Sequence, residues 1–151
     1  TTRSMSGFII AMQVGMWFGY VTFGFISDRV GRKRAYVAYL LTAAVLMLSY
    51  AVTRYPPALL LLGPVVAFFA TGYFTGFGAV TAEIYPTDIR ATAQGFTYNI
   101  GRIGSAVAPW AVGHLAATHG FGAAFSLSAV AFVCAAVMWR WIPETRGRDL
   151  A

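Results

Sequence analysis

The sequence predicts an all-α membrane protein with five transmembrane helices, and three observations carry that prediction. Hydrophobic residues fill 58% of the 151 positions and charged residues only 11%, against about a quarter charged in an average soluble domain. The apolar residues gather into five stretches, 5–26, 35–53, 58–82, 95–118 and 121–142. Each is near the ~20 residues that a helix needs to cross a hydrocarbon core of about 30 Å. The Lys and Arg residues cluster at one set of stretch ends. A transmembrane barrel would show alternating segments of about ten residues, and none occur.

The stretch 5–26 ends in Gly24-Phe-Ile-Ser-Asp28-Arg29-Val-Gly31-Arg32-Lys33-Arg34, a charged turn between apolar walls. Gly24 lacks a side chain and permits close helix contact, and Gly31 permits a turn with positive φ. Asp28 closes the first helix beside cations, where its carboxylate either pairs with an Arg or caps another helix. A solvated basic anchor would use the same residues. Within the helix, Gln13, Trp17 and Tyr20 stand at i, i+4 and i+7 as one polar and aromatic stripe. Gln13 and Trp17 lie too deep to be interfacial anchors.

The stretches 35–53 and 121–142 are almost wholly apolar and read as peripheral, lipid-facing spans. The stretch 58–82 carries Gly72 and Gly76, a small-xxx-small pair suited to close packing and to a helix that bends; Tyr73 and Thr75 stand beside them. The stretch 95–118 carries Gly101, Gly104 and Ser105, with Pro109 near its middle. Proline removes one backbone hydrogen bond and kinks a helix, and broken helices near the midplane are where secondary transporters bind substrate. Simple interhelical packing explains the same glycines.

Arg102 is the sharper signal. It lies about 10 Å from the inner end of its stretch, at roughly 1.5 Å per residue. An Arg at a helix centre costs about 2.5–3.5 kcal/mol on insertion scales unless a partner offsets it. No carboxylate lies inside any of the five stretches. The partner is therefore an inner-end carboxylate such as Glu83 or Asp28, a group outside this chain, or an anionic substrate. Tyr98 and Asn99 flank it. Snorkelling of the long side chain to the interface is the alternative.

Arg29, Arg32, Lys33, Arg34, Arg90, Arg140, Arg146 and Arg148 fall at one set of ends, while the other holds only Arg3 and Arg54. The basic side is cytoplasmic, so this chain's N-terminus is expected outside and its C-terminus inside a cell (inner) membrane. Asp28, Glu83, Asp88, Glu144 and Asp149 fall on the same inner side. The outer turns, Arg54-Tyr-Pro-Pro57 and His119-Gly-Phe-Gly122, hold the Pro and Gly that let a chain reverse. Five spans leave the two ends on opposite faces, and the chain opens on Thr; both point to a piece of a longer protein.

Other classes fit poorly. The net charge of +6 and Arg32-Lys33-Arg34 could serve nucleic acid, but the cluster abuts membrane helices, so no nucleic-acid partner is expected. Cys134 stands alone in the last stretch, as a small packing residue, and offers neither a disulfide nor a metal site. His114 and His119 have no carboxylate nearby, so neither catalytic residues nor metal ligands nor enzyme activity are expected.

Three strings resemble a known family. Gly-x-x-x-Asp-Arg-x-Gly-Arg-Lys, here Gly24 to Lys33, resembles the loop signature of the major facilitator superfamily, found after the second helix of each six-helix half. Glu83-Ile-Tyr-Pro86-Thr-Asp-Ile-Arg90 resembles the Glu-x-Phe-Pro-Thr-x-x-Arg string after the tenth helix of its sugar and metabolite:H+ symporters. Pro143-Glu144-Thr145-Arg146-Gly147 resembles their Pro-Glu-Thr-Lys-Gly string after the twelfth. Tyr85 and Arg146 depart from the pattern but keep size or charge.

The resemblance implies helices eight to twelve of a partial C-terminal six-helix half, with the seventh helix and the N-terminal half lying outside this chain. It implies transport of a small metabolite, an organic acid or sugar, by alternating access with the proton as coupling ion and no other cofactor. A truncated remnant without activity of its own is the alternative. The implied partners are the lipid bilayer, the N-terminal half and the substrate. Gly24, Asp28, Arg29, Gly31, Arg32, Lys33, Glu83, Arg90 and Glu144 would form a cytoplasmic gating motif, with Glu83 within salt-bridge distance of an Arg in 29–34 or of Arg90. Gln13, Trp17, Tyr73, Asn99 and Arg102 are the candidates for the substrate cavity, since the eighth helix borders it in the family.

Overall fold

A computed structural model describes residues 2–147, with side chains from Met5 onward. The Arg3 side chain, Arg148 and Asp149, counted above for sidedness, lie outside the described residues. Helix α1 spans Thr2–Val30, α2 Arg32–Val52, α3 Pro56–Gly72, α4 Gly76–Ile84 and α5 Arg90–Met138. A 3-10 turn at Tyr73–Thr75 joins α3 to α4.

Four runs among the described residues are long and apolar enough to cross a membrane: Met5–Val30, Arg32–Val52, Pro56–Ile84 and Arg90–Met138. The difference from the predicted five lies at Gly120. Helix α5 has 49 residues, about 73 Å at 1.5 Å per residue, more than twice a hydrocarbon core. At Gly120 its backbone leaves helical geometry, with φ 83° and ψ 168°, a conformation glycine adopts without steric cost. The chain reverses there, so that Ala108 and Val112 share one groove with Leu127 and Phe132. A first leg, 90–119, and a second, 121–138, therefore supply two crossings.

The helix ends follow local chemistry. The first span runs past Ile26 to Val30 because nothing before Gly31 breaks a helix. The Gly31 amide closes the last turn on the Ser27 carbonyl at 3.1 Å. Gly31 then takes φ 111°, the positive-φ turn predicted for it, and α2 begins at the next residue. Pro56 starts α3 at a position where its missing N–H costs nothing. The 58–82 stretch is not one uniform helix, since the 3-10 turn falls between Gly72 and Gly76. The last span stops at Met138 and not at Ile142: residues 139–142 tighten into successive turns, and Pro143 disfavours helix in the residue before it.

Helices α1 and α3 interlock through glycine. A Cβ on Gly15 would lie 2.3 Å from the Pro64 carbonyl oxygen, and one on Gly19 2.4 Å from that of Phe68. Gly72 and Gly76 pack as the small-xxx-small pair predicts, against the Gly19 backbone and the Phe23 ring respectively. Below this seam sits an aromatic core in which Phe23 meets Tyr36 and Tyr39 edge-on, each at 4.9 Å. Trp139 stacks on Tyr36 at 4.1 Å.

Helix α2 is not peripheral. One face, Tyr36, Tyr39, Leu40, Ala43 and Ala44, is buried between α1 and α3 on one side and the second leg of α5 on the other. That leg runs antiparallel to α2, with Phe125 against Tyr50 near the C-terminus of α2 and Trp139 against Tyr36 near its N-terminus. The opposite face of α2, with Leu41, Val45 and Leu48, stays exposed and suits lipid. Cys134 is exposed and not packed as predicted, because the second leg turns Ala129 and Ala136 inward instead.

Candidate functional site

The C-terminal ends of α1 and α4 and the N-terminal end of α2 converge with the 143–147 tail on one guanidinium. Arg32 heads α2, directly after the Gly31 corner, and its Nε and Nη2 donate to Glu83 Oε1 at 3.3 and 3.1 Å. Its Nη1 donates to Ser27 Oγ at 2.8 Å and pairs with the Asp28 carboxylate. Glu83 reaches this point because α4 ends at Ile84, one residue later. Its second oxygen accepts the hydroxyl of Thr145, which is fully buried. The Arg32 and Glu83 side chains are only 15% and 13% exposed, whereas Asp28 is 62% exposed.

The tail contributes a second anion. Glu144 Oε1 accepts the backbone N–H of Arg32 at 2.7 Å, and Oε2 that of Lys33 at 3.3 Å. A carboxylate at this place satisfies orphan amides and meets the positive end of the helix dipole. Gly31 makes room for it, since a Cβ there would come within 2.7 Å of Glu144 Oε2. Of the two roles left open for Asp28, the structure shows the pairing; Glu144 performs the capping.

The structure thus brings Asp28, Gly31, Arg32, Lys33, Glu83 and Glu144 into one cluster. Lys33 Nζ turns outward to the Arg140 carbonyl oxygen at 3.0 Å. Arg29 is exposed, and Arg90 Nε folds back on the Tyr85 carbonyl at 3.2 Å. Gly24 does not make the close helix contact predicted for it, because nothing lies within 4 Å of where its Cβ would be; its face of α1 points away from α3. Ser27 and Thr145 were not singled out from sequence. Hydroxyls within strings otherwise read for their charges were the available signal.

The predicted cavity residues are dispersed. Arg102 lines a cleft of about 410 Å³ with Phe74, Phe77, Thr97, Tyr98 and Ser105, and its guanidinium carbon lies 5.9 Å from the centre of the Tyr98 ring. A cation over an aromatic face at this distance is held electrostatically. The first leg of α5 begins at Arg90, five residues before the predicted start. Arg102 is therefore about 18 Å along the helix from its first residue, while its distance from the start of the apolar stretch at Gly95 stays at about 10 Å. Neither Glu83 nor Asp28 serves it, since Arg32 holds both.

Asn99 lies outside the cleft, its amide turned onto the Gly95 carbonyl at 2.7 Å. Tyr73 faces the bundle interior beside Tyr36 and borders two other hollows. Gln13 and Trp17 are exposed on the side of α1 opposite the Gly15–Gly19 seam, about 200° round the helix. Gln94 was missed altogether: its amide donates to Thr81 Oγ1 at 2.9 Å and to the Gly78 carbonyl at 3.1 Å, tying α5 to α4 below the cleft.

This geometry meets the comparison with known proteins. Residues 1–150 match the family model of the Major Facilitator Superfamily. The chain belongs to that superfamily. It is 36% identical over 143 residues to a putative metabolite transport protein of Haemophilus influenzae, covering 94% of this chain and 34% of that protein. It is 33% identical to a probable 4-methylmuconolactone transporter of Cupriavidus pinatubonensis (95% and 34% covered). It is 31% identical to the cis,cis-muconate transport protein of Acinetobacter baylyi (94% and 35%). The chain spans about a third of the length of these relatives. As a superfamily member with long apolar helices it is an integral, multi-pass membrane protein.

Proposed function

We propose that this chain forms most of the C-terminal half of a carrier that moves a small organic acid across the cell (inner) membrane by alternating access, without catalysing a covalent step. The observation that carries the reading is Arg102, at mid-helix in an aromatic-walled cleft and left over by the carboxylates that Arg32 engages. A guanidinium in such a place matches a substrate carboxylate bidentately. Muconate, carried by one relative, is a dicarboxylate, which favours an acid over a neutral sugar. In this reading the N-terminal half closes the cleft from outside this chain.

The inner cluster has a divided role. Arg32, Glu83, Thr145 and Glu144 bond within this half, so they travel with it as one body and contribute equally to both conformers. Only interactions that differ between conformers bias the inward–outward equilibrium. Arg29, exposed on the same corner, and Asp28, whose carboxylate stays 62% exposed beside its pairing with Arg32, are the charges placed to meet the opposite half and act as the gate. Coupling to protons needs a titrating acid at membrane depth; no carboxylate falls inside the apolar stretches of this chain, so in this reading that acid comes from the part of the carrier outside it. The N-terminus of the chain lies outside and its C-terminus in the cytoplasm.

Uptake by the full-length carrier tests this. In proteoliposomes with an inward proton gradient, a panel of radiolabelled aliphatic and aromatic acids and neutral sugars is compared. Accumulation of an acid that collapses with a protonophore is expected. Accumulation of sugars alone, or acid uptake indifferent to the gradient, overturns the substrate class or the coupling respectively.

A further inference from the structure

A groove of about 390 Å³ runs between α2 and the second leg of α5, away from the Arg102 cleft and sharing only Lys33 with the inner cluster. Val37 and Leu41 of α2 and Ala136 and Val137 of α5 form its apolar length, and Lys33 and Arg140 stand together at one end. The two cations are brought to the same level by the bond from Lys33 Nζ to the Arg140 carbonyl. That bond uses one of three ammonium donors. Glu144 accepts from the backbone amides of Arg32 and Lys33, and among the described residues it makes no ion pair with the Lys33 ammonium or the Arg140 guanidinium.

The surface around the groove identifies its environment. Leu41, Val45 and Leu48 on one helix and Val130, Val133 and Val137 on the other are exposed aliphatics, as a lipid-facing wall requires. Trp141, 74% exposed, follows the cations where the helix ends, the level at which tryptophan marks a headgroup boundary. An apolar channel about two helical turns deep, crowned by two cations at that level, is complementary to one acyl chain beneath one anionic headgroup.

We infer that this groove is a binding site for an anionic phospholipid of the leaflet bearing the Arg29–Arg34 turn. The phosphate sits between Lys33 and Arg140, and one acyl chain lies along Val37, Leu41, Ala136 and Val137. The site is independent of what the carrier transports. Because it bridges α2 and the second leg of α5, an occupant would tie together the two helices whose inner ends also hold Glu144 and Trp139.

The test uses the full-length carrier, stripped of lipid in detergent and titrated in native mass spectrometry with phosphatidylglycerol or phosphatidylcholine of identical acyl chains. Two cations near a headgroup are expected to favour phosphatidylglycerol by about tenfold or more. The double variant Lys33→Gln, Arg140→Gln should bring the two lipids within about twofold, and Arg140→Gln alone, which leaves the Lys33 bond to the backbone intact, should give an intermediate loss. Arg34→Gln, an exposed cation off the groove, should keep the preference. Val137→Trp, on the exposed lip of the channel, should weaken retention of both lipids. The inference is overturned if the double variant keeps the preference, if Arg34→Gln loses as much, or if Val137→Trp retains lipid fully. It also fails if inorganic phosphate binds in a Lys33- and Arg140-dependent manner while phosphatidylglycerol does not.

Discussion

Arg32 Nη2 lies 3.1 Å from Glu83 Oε1, bridging 51 positions of sequence and fastening the start of α2 to the end of α4. Both side chains are largely shielded, so loss of one partner strands the other. Glu83→Ala or Arg32→Ala in the full-length carrier should each destabilise it by about 3–5 kcal/mol. The double variant should cost less than the sum, because the two act on one interaction. Thermal unfolding in detergent measures all three.

Gly31 and Gly24 belong to the same loop signature but differ in what a methyl group would meet. Gly31→Ala forces a side chain onto φ 111° and toward Glu144 Oε2, a strain of about 1–3 kcal/mol. Gly24→Ala meets open space in a helix interior and should leave stability unchanged or raise it by about 0.5–1 kcal/mol. A lower melting temperature for Gly24→Ala than for Gly31→Ala would contradict the structure.

The α1–α3 seam gives a sharper steric forecast. Gly19→Ala places a Cβ against backbone, the Phe68 carbonyl, which no rotamer change relieves. A cost of about 1–3 kcal/mol is expected for overpacking, read as reduced folded yield in fluorescence-detected gel filtration. Gly101→Ala, with nothing within 4 Å of its added carbon, is the matched control.

Arg102→Lys keeps the charge but loses the planar fork. If the cleft grips a carboxylate bidentately, acid uptake should fall at least tenfold, with protein abundance unchanged. Uptake equal to the parent carrier would return Arg102 to the role of a snorkelling side chain.

Orientation is open to labelling in a background otherwise free of cysteine. Tyr55→Cys, in the turn between α2 and α3, should react with a membrane-impermeant maleimide on intact cells. Arg34→Cys should react only after permeabilisation. The reverse pattern would invert the topology.

The apolar stretches, the positive-φ corner at Gly31 and the meeting of Glu83 with an Arg of the 29–34 turn were legible in the sequence, because each follows from local composition or charge. Three things were not. The Gly15–Gly19 spacing carried the α1–α3 interlock, yet an i, i+4 glycine pair in an apolar helix does not say which partner it faces. The choice between Asp28 and Glu144 as the cap depends on a tail returning from more than a hundred residues away, which spacing cannot encode. The reach of Gln94 was the third, since a polar residue just before an apolar stretch does not announce that its amide will meet Thr81 and Gly78.

The 3-10 turn at Tyr73–Thr75 interrupts the regular hydrogen-bond ladder between the part of this crossing clasped by Gly15 and Gly19 and the part that carries Glu83. The two pieces are therefore secured by different means: the upper by backbone-to-backbone contact with α1, the lower by the Phe23 ring against Gly76 and by the Arg32–Glu83 tie.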